Sequence, residues 1–121
     1  MNFAFVKINH TTRILDYNNK FMKIFKYSTN TDTPIYHYFR DCINQDDLNE
    51  IFNMKDGDKI SKPMHFISSR LGRGKSYNVN IQCKQNGTMK KRLDMVPKYE
   101  YIFTIDPTRL SIRAPKKYKN K

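Results

Sequence analysis

The chain has 121 residues, of which 38% are hydrophobic and 13% aromatic, which is enough for the core of one domain and argues against wholesale disorder. No apolar run approaches the roughly 20 residues of a membrane-spanning helix, and the first ten residues lack the features of a secretory signal. The formal net charge of +12 resides in the second half, because residues 1–58 carry seven Lys/Arg against eight Asp/Glu and residues 59–121 carry sixteen against three.

The first seventeen residues predict a β-hairpin. Period-2 alternation gives the first strand, residues 2–8, two apolar faces. One face has Ala4, Val6 and Ile8, and the other has Phe3 and Phe5. Such a strand is either central in a layered fold or covered by something outside its own core. A turn at residues 10–12 leads into the second strand at residues 14–17.

An amphipathic helix is predicted directly after the hairpin. Phe21, Ile24, Phe25 and Ser28 follow the i, i+3, i+4, i+7 spacing of one helical face, so the aromatic and aliphatic groups share that face. Asn18 or Asn19 supplies the N-cap that satisfies the backbone amides of the first turn.

The middle of the chain predicts a loop and more short helical segments. Residues 28–34 are typical of a loop and residues 35–39 of one or two helical turns. A further helix starts at Asp46 and Asp47, whose carboxylates favour the N-terminal end of the helix dipole, and we expect Gly57 to end it. Its apolar positions are Leu48, Ile51 and Phe52.

The second half of the chain predicts three strands, at residues 59–69, 76–83 and 99–106. Met64 and Phe66 share one face of the first of these strands, and Pro63 suits an edge strand or a bulge. The Asn86-Gly87 pair is typical of a two-residue hairpin turn. The whole order, β-β-α-α-α-β-β-β, predicts an α+β fold with one antiparallel sheet of about five strands and short helices packed on one face.

Residues that could act in catalysis or metal binding are scattered along the chain. Cys42 and Cys83 form no Cys-x-x-Cys pair, which favours reduced thiols in a cytoplasmic protein over a disulfide. The histidines at positions 10, 37 and 65 have no metal-ligand spacing, so we expect no metal site. No pattern indicates a Ser/His/Asp or Cys/His site, so we expect no catalytic residues and a protein that is not an enzyme.

Three motifs in order resemble a PAS domain, the small sensory module of signalling proteins. The first resembles the family's "I-x-x-x-N-x-x-F-x-x-x-F-G-Y-S" segment with Ile14, Asn18, Phe21, Phe25, Tyr27 and Ser28. Residues 44–48, which include Asp46 and Asp47, are similar to the "H-P-D-D" that begins the family's long helix. Residues 105–108, which include Asp106, resemble the closing "D-I-T". The resemblance covers about residues 3–108.

The sequence also departs from the family pattern. Lys26 replaces the family's glycine, Asn44-Gln45 replaces its His-Pro pair, and Pro107 stands in the middle of the closing triplet. The long helix is about one turn short, and residues 88–98 look like an enlarged last hairpin. We expect residues 1–108 to form the sensor domain and residues 109–121, with six basic residues and no acid, to be a flexible tail or the start of a linker.

The resemblance implies a sensory or regulatory module of a bacterial signalling protein, such as a sensor kinase or a GGDEF-type diguanylate cyclase. It implies dimerisation, small-ligand sensing or both, with the output domain outside this chain. We expect the homodimer contact at Phe3 and Phe5. Inner-face aromatic residues either line a ligand pocket or fill a solid core: Phe21, Phe25, Phe39, Phe52, Phe66, Tyr77 and Phe103.

The cofactor is not predicted, although two candidates are disfavoured. Haem-binding members use a histidine on the long helix, whereas residues 46–56 contain none and offer only Met54. Photoactive flavin members use a cysteine within Asn-Cys-Arg, whereas Cys42 lies within Arg-Asp-Cys-Ile-Asn.

The alternative function is non-specific nucleic-acid binding. Residues 70–121 contain many of the basic side chains, which could form a phosphate-attracting surface whose binding weakens with salt. The element order is not that of an RNA-recognition motif, so nucleic acid is the less favoured partner.

Overall fold

The computed structural model of the protein describes residues 2–25, 38–67 and 74–111. Five strands form one antiparallel sheet in the order β2-β1-β5-β4-β3, which confirms the predicted fold class. The elements are β1 (Ala4–Asn9), β2 (Ile14–Tyr17), α1 (Asn19–Phe25), a 3₁₀ turn (Phe39–Cys42), α2 (Gln45–Phe52), β3 (Lys59–Phe66), β4 (Lys75–Lys91) and β5 (Asp94–Ile105). No helix in these ranges is long and apolar enough to cross a bilayer.

The two faces of the sheet are chemically different. The inner face carries the buried alternate residues of β1, β4 and β5. The helical layer contributes buried residues to the same core, namely Phe21 and Phe25 of α1, Phe39 and Cys42 of the 3₁₀ turn, and Leu48 and Ile51 of α2. The outer face carries the other alternate residues, including Phe5 of β1, and Phe3 lies just before this strand. The predicted division of β1 into two apolar faces is therefore confirmed.

Asn18 joins the first strand to the first helix. Its Oδ1 accepts hydrogen bonds from the backbone N–H of Phe5 and of Phe21, both at 3.0 Å, and its Nδ2 donates to the carbonyl of Phe3 at 2.9 Å. The bond from Phe21 is the N-cap predicted for either of two asparagines. Because the same amide group binds β1, it sets where α1 leaves the sheet.

The α2 helix has a cap and an ionic anchor. Asn44 Oδ1 accepts from the N–H of Asp47 at 2.9 Å, and Asn44 Nδ2 donates to Asp47 Oδ2 at 2.8 Å. Lys62 of β3 then places its Nζ 2.6 Å from Asp47 Oδ1 and 2.7 Å from Glu50 Oε1. Partial burial alone would lower the pKa of Lys62, but the two carboxylates outweigh this effect and raise the pKa above its ordinary value.

The predicted end of α2 at Gly57 is wrong. The helix ends at Phe52, and Gly57 lies in a later turn with φ +89°. Its N–H donates to the carbonyl of Cys83 at 2.9 Å, and the N–H of Cys83 donates to the carbonyl of Asp58 at 2.9 Å. These bonds hold residues 57 and 58 against β4 just before β3 begins. A prediction from local helix-stop residues does not include such bonds to a distant strand.

The predicted hairpin turn at Asn86-Gly87 is also wrong. β4 continues through both residues, and its register with β5 shifts between Gln85 and Thr88, which identifies a β-bulge. Gly87 supplies the left-handed backbone that the bulge requires, with φ +82°. Asn86 Nδ2 donates to Glu100 Oε2 on the facing strand at 2.7 Å. This asparagine therefore links the two strands and does not reverse the chain direction.

The reversal of the last hairpin comes at residues 92 and 93. Four further residue pairs follow the bulge, from Thr88 with Pro97 to Lys91 with Asp94, and Arg92 turns the chain with φ +59°. The enlarged last hairpin predicted over residues 88–98 is therefore present. Continued pairing beyond the bulge outweighs the local turn preference of Asn-Gly.

Some of the other predictions are confirmed, and some concern residues outside the described ranges. Met64 and Phe66 are both buried, and Pro63 lies exposed on β3, which is an edge strand of the sheet as predicted. The predicted loop at residues 28–34 lies outside the described residues, as do residues 35–37, 68–73 and 112–121.

We expect replacement of Asn18 to test the junction between β1 and α1. Asn18→Ala removes three side-chain hydrogen bonds and should lower the free energy of unfolding by about 2–3 kcal/mol. Asn18→Asp keeps the acceptor but loses the donor to Phe3, so its loss should be smaller, about 1 kcal/mol.

Urea unfolding followed by circular dichroism measures both changes. Asn19→Ala is the matched control, because Asn19 is exposed at the first helical position. Equal losses for the two alanine variants would contradict the assignment of Asn18 as the junction.

Candidate association surface and aromatic core

The aromatic residues predicted to line a pocket form a tightly packed cluster. Phe39 lies at its centre, 5.6 Å from Phe21, 5.6 Å from Phe25, 5.7 Å from Phe66 and 5.3 Å from Phe103 between ring centroids. These five phenylalanines have no exposed surface. Edge-on and stacked rings at such separations are in contact, so side chains fill the space between the helices and the sheet in the described residues.

Tyr77 and Phe52 occupy different positions relative to this cluster. Tyr77 is 4% exposed, and its ring centroid lies 6.2 Å from that of Phe25 and 6.3 Å from that of Phe66. Phe52 is 43% exposed and contacts only the rim of the core, with its ring 6.2 Å from Tyr101. The prediction that Phe52 faces the interior is wrong, because α2 turns its Leu48 and Ile51 inward and leaves Phe52 at the edge.

The outer face of the sheet is the candidate association surface. Phe5 pairs across the strands with Thr104, and Thr104 pairs with Asn80, so these side chains form one row on this face. Ile102 lies in the next row, between Lys7 and Gln82. Phe3 is 39% exposed beside this surface, and Phe5 and Ile102 are half-buried.

A groove of about 380 Å³ crosses the same face. Its lining includes Ser61, Asn80 and Gln82 as polar groups and Ile102 and Thr104 as more apolar ones. Ser61 Oγ donates to Asn80 Oδ1, which fixes one wall. An apolar patch beside a groove with hydrogen-bonding groups has the mixed chemistry of a protein contact surface.

Sequence reasoning missed Ile102 as part of this surface. The alternation in β5 predicts one apolar face, with Tyr101, Phe103 and Ile105, opposite Glu100 and Thr104, whereas Ile102 makes the second face partly apolar. The signal was the same two-faced apolar pattern that singled out β1, its neighbour in the sheet.

The residues of the resemblance motifs have structural roles where the structure describes them. Asn18 joins β1 to α1, and Asp47 anchors α2. Asp46 is exposed in the first turn of α2, where its charge suits the helix dipole. Asp106 Oδ1 accepts from the N–H of Thr108 at 2.9 Å, and its own N–H donates to the carbonyl of Asn78 at 2.9 Å. These bonds hold the chain to the sheet just after β5.

Cys42 and Cys83 are both buried, with Cys83 on β4 opposite Tyr101 of β5. Burial raises the pKa of the Cys83 thiol to about 11, with smaller contributions from Asp56 and Asp58. A protonated, buried thiol is a poor nucleophile.

Metal-ligating side chains do not gather in the part of the chain that the structure describes. No group of three or more His, Cys, Asp or Glu residues there could hold a metal ion. Met54 is 3% exposed in the core cluster, and its thioether packs among apolar side chains.

The basic side chains in the described residues are most concentrated on the last hairpin. Lys90, Lys91 and Arg92 lie in sequence at its tip and are exposed. Arg70 and Arg73 lie outside the described residues, as does most of the basic tail. The candidate nucleic-acid surface is therefore described only in its hairpin portion.

Comparison with known proteins gives a similarity in fold. No family model matches the chain, and no curated protein matches it. The chain is similar to a solved structure described as a PAS domain from a two-component sensor histidine kinase. The alignment covers 86% of this chain and 84% of that chain, with a TM-score of 0.46 and 10% sequence identity.

We expect the aromatic cluster to respond strongly to truncation at its centre. Phe39→Ala should lower the free energy of unfolding by about 3–5 kcal/mol, because four ring contacts are replaced by a cavity. Phe52→Ala is the control at a half-exposed phenylalanine and should cost about 1 kcal/mol. Urea denaturation measures both, and a loss at Phe39 no larger than at Phe52 would show that the core is not packed around this ring.

We expect alkaline pH to destabilise the protein through Cys83. Its pKa is raised from 9.0 to about 11 in the folded state, so above pH 9 the unfolded chain loses the thiol proton while the folded chain keeps it. The resulting stabilisation is complete below about pH 9 and is lost as the pH rises towards 11. Burial also raises the pKa of Tyr101, to about 12, which acts in the same direction at higher pH.

Urea unfolding in a reducing buffer between about pH 8 and 11 measures this effect. Cys83→Ala should be less stable than the wild type near pH 8, because it loses buried volume, and the difference should shrink as the pH rises. A difference that stays constant across this range would contradict the assignment.

Proposed function

We propose that this chain is a PAS-type sensory or regulatory module of a bacterial signal-transduction protein, such as a sensor kinase or a GGDEF-type diguanylate cyclase. The proposal rests on the motifs of the sequence and on their roles in the fold. Asn18 and Phe21 of the first motif connect the sheet to the ring cluster, and Asp47 of the second motif starts and anchors α2. Each motif thus has a structural reason to be where the resemblance puts it.

The observation that supports the choice of mechanism is a packed core beneath a partly apolar outer face. Five fully buried phenylalanines are in ring contact between the helices and the sheet, whereas Phe3, just before β1, is 39% exposed. The domain accordingly acts by association with a second copy through the outer face of the sheet, centred on Phe3, Phe5, Ile102 and Thr104. No cofactor is needed for this role, and the domain is a non-catalytic cytoplasmic module.

The route from the surface to an output domain is short. Phe5 pairs with Thr104 on β5, and β5 ends at Ile105. Residues 1–108 form the sensory unit, and residues 109–121 are the tail or linker through which association of two sheets is transmitted. Coupling of this kind requires two states that differ in how the sheets associate.

Non-specific nucleic-acid binding through residues 70–121 is the alternative. The observation in its favour is the run of three basic residues at the hairpin tip, Lys90, Lys91 and Arg92. Binding of this origin would weaken steeply with salt, since it depends on release of counterions from the phosphates.

Sedimentation equilibrium tests association through the outer face. The wild-type chain should form a dimer, and Phe3→Glu with Phe5→Glu should shift it to the monomer mass, because each copy then brings two carboxylates into the contact. Thr104→Arg tests the same row without altering a phenylalanine and should also weaken the dimer.

Phe52→Glu is the matched control, because Phe52 is 43% exposed on α2 in the helical layer. It should leave the dimer intact. A wild-type chain that remains monomeric, or a dimer that tolerates both changes on the outer face, would overturn the proposal.

A further inference from the structure

The last hairpin extends beyond the rest of the sheet. The pairing of β1 with β5 ends at Asn9 with Glu100, and that of β3 with β4 ends at Lys59 with Gln82. Residues 85–99, here called the arm, therefore pair as strands only with each other among the described residues. From the bulge to its tip the arm spans about six residues, or roughly 20 Å at the rise of an extended strand.

The tip of the arm exposes large apolar side chains. Leu93 is 94% exposed and Met95 is 64% exposed, more than the other large apolar side chains of the described residues. Leu93 lies in the turn itself, where no strand neighbour can cover it. Single exposed apolar residues are common, but two at the end of a projecting hairpin form a protruding apolar point.

Cations surround this apolar point. Lys90, Lys91 and Arg92 immediately precede Leu93, and Lys98 follows on β5. The arm contains four basic residues and one acidic residue, Asp94. The net charge of the arm is therefore +3. Long basic side chains can remain in a polar environment while the apolar tip leaves water.

The alternation of the two strands places these groups on both sides of the arm. Lys90 pairs with Met95 on one face, and Lys91 pairs with Asp94 on the other. Because neither face is purely apolar, the arm is unsuited to lie flat in an apolar groove. The arm has an apolar end with cations behind it on both faces. This arrangement is suited to insert end-on into an interface between a polar and an apolar phase.

We propose that the arm is a membrane-docking hairpin, which inserts Leu93 and Met95 at the surface of a bilayer that contains anionic lipid. The acyl–headgroup boundary accepts the apolar tip, and the lipid phosphates attract Lys90, Lys91 and Arg92. Nucleic acid offers the same phosphates but no apolar phase for a leucine that is almost wholly exposed, and the arm tip has no aromatic ring for base stacking. The inference does not depend on dimerisation through the outer face.

Vesicle sedimentation with the full chain tests the proposal. Vesicles of phosphatidylcholine with about a third phosphatidylglycerol should bind the protein, and pure phosphatidylcholine vesicles should bind it at least about tenfold more weakly. Leu93→Glu with Met95→Glu should reduce binding to the anionic vesicles by about tenfold or more. Replacement of Lys90, Lys91 and Arg92 by Gln should reduce it by a similar factor and flatten its salt dependence.

Two controls separate the arm from other parts of the chain. Leu15→Glu introduces one carboxylate at a leucine that is 44% exposed on β2, and it should not alter binding. Lys116→Gln with Lys117→Gln and Lys119→Gln neutralises part of the basic tail and should have a smaller effect than the arm variants. All changed positions are exposed or in the tail, and thermal unfolding checks that each variant retains its fold.

The lack of tryptophan in the chain allows a direct test of insertion. Leu93→Trp places a unique fluorophore at the tip, and its emission should shift to shorter wavelength when anionic vesicles are added. Leu15→Trp should show no such shift.

Three results would overturn the proposal. In the first, Leu93→Trp emission does not change although the protein sediments with vesicles. In the second, the tail substitutions abolish binding while the arm variants retain it. In the third, duplex DNA at equal phosphate concentration binds as tightly as the vesicles, and Leu93→Glu with Met95→Glu weakens neither, which would identify a general phosphate-binding surface.

Discussion

The side-chain amide of Asn18 joins the first strand of this fold to its first helix. Its oxygen accepts from a strand amide and a helix amide at once, and its nitrogen donates to a strand carbonyl. The helix that begins there is only seven residues long, so it has little stability of its own. Its direction decides whether Phe21 and Phe25 reach the ring of Phe39, and that contact in turn closes the space above the sheet.

The proposed function places the contacts of the domain on its surfaces. Rings in contact give the described core a close packing. The outer face and the arm retain exposed apolar groups, and they lie in different parts of the sheet. Phe5 and Thr104 belong to the paired centre, whereas Leu93 projects beyond it. A contact between two copies and a contact with a bilayer can therefore occur together.

Local sequence signals failed where residues distant along the chain supplied stronger bonds. Gly57 has the flexibility to end a helix, but its N–H binds the carbonyl of Cys83 on β4. Asn86-Gly87 has the chemistry of a tight turn, but the pairing of β4 with β5 continues past it and makes it a bulge. Phe52 has the helical spacing of a core residue, yet it lies at the edge because α2 ends there.

The amino-acid pattern alone determined most of the element types, the two faces of β1, a cap at Asn18 or Asn19, and the fold class. These features follow from side-chain periodicity and from hydrogen bonds between near neighbours in the chain. Both can be inferred from the order of the residues alone. Only the tertiary structure decided that the aromatic residues fill a core, that Ile102 joins Phe5 on the outer face, and that the tip of the last hairpin is Leu93. Each of these depends on strand register and on contacts between residues far apart in sequence, and a shift of one residue in register would have exchanged the two faces of the sheet.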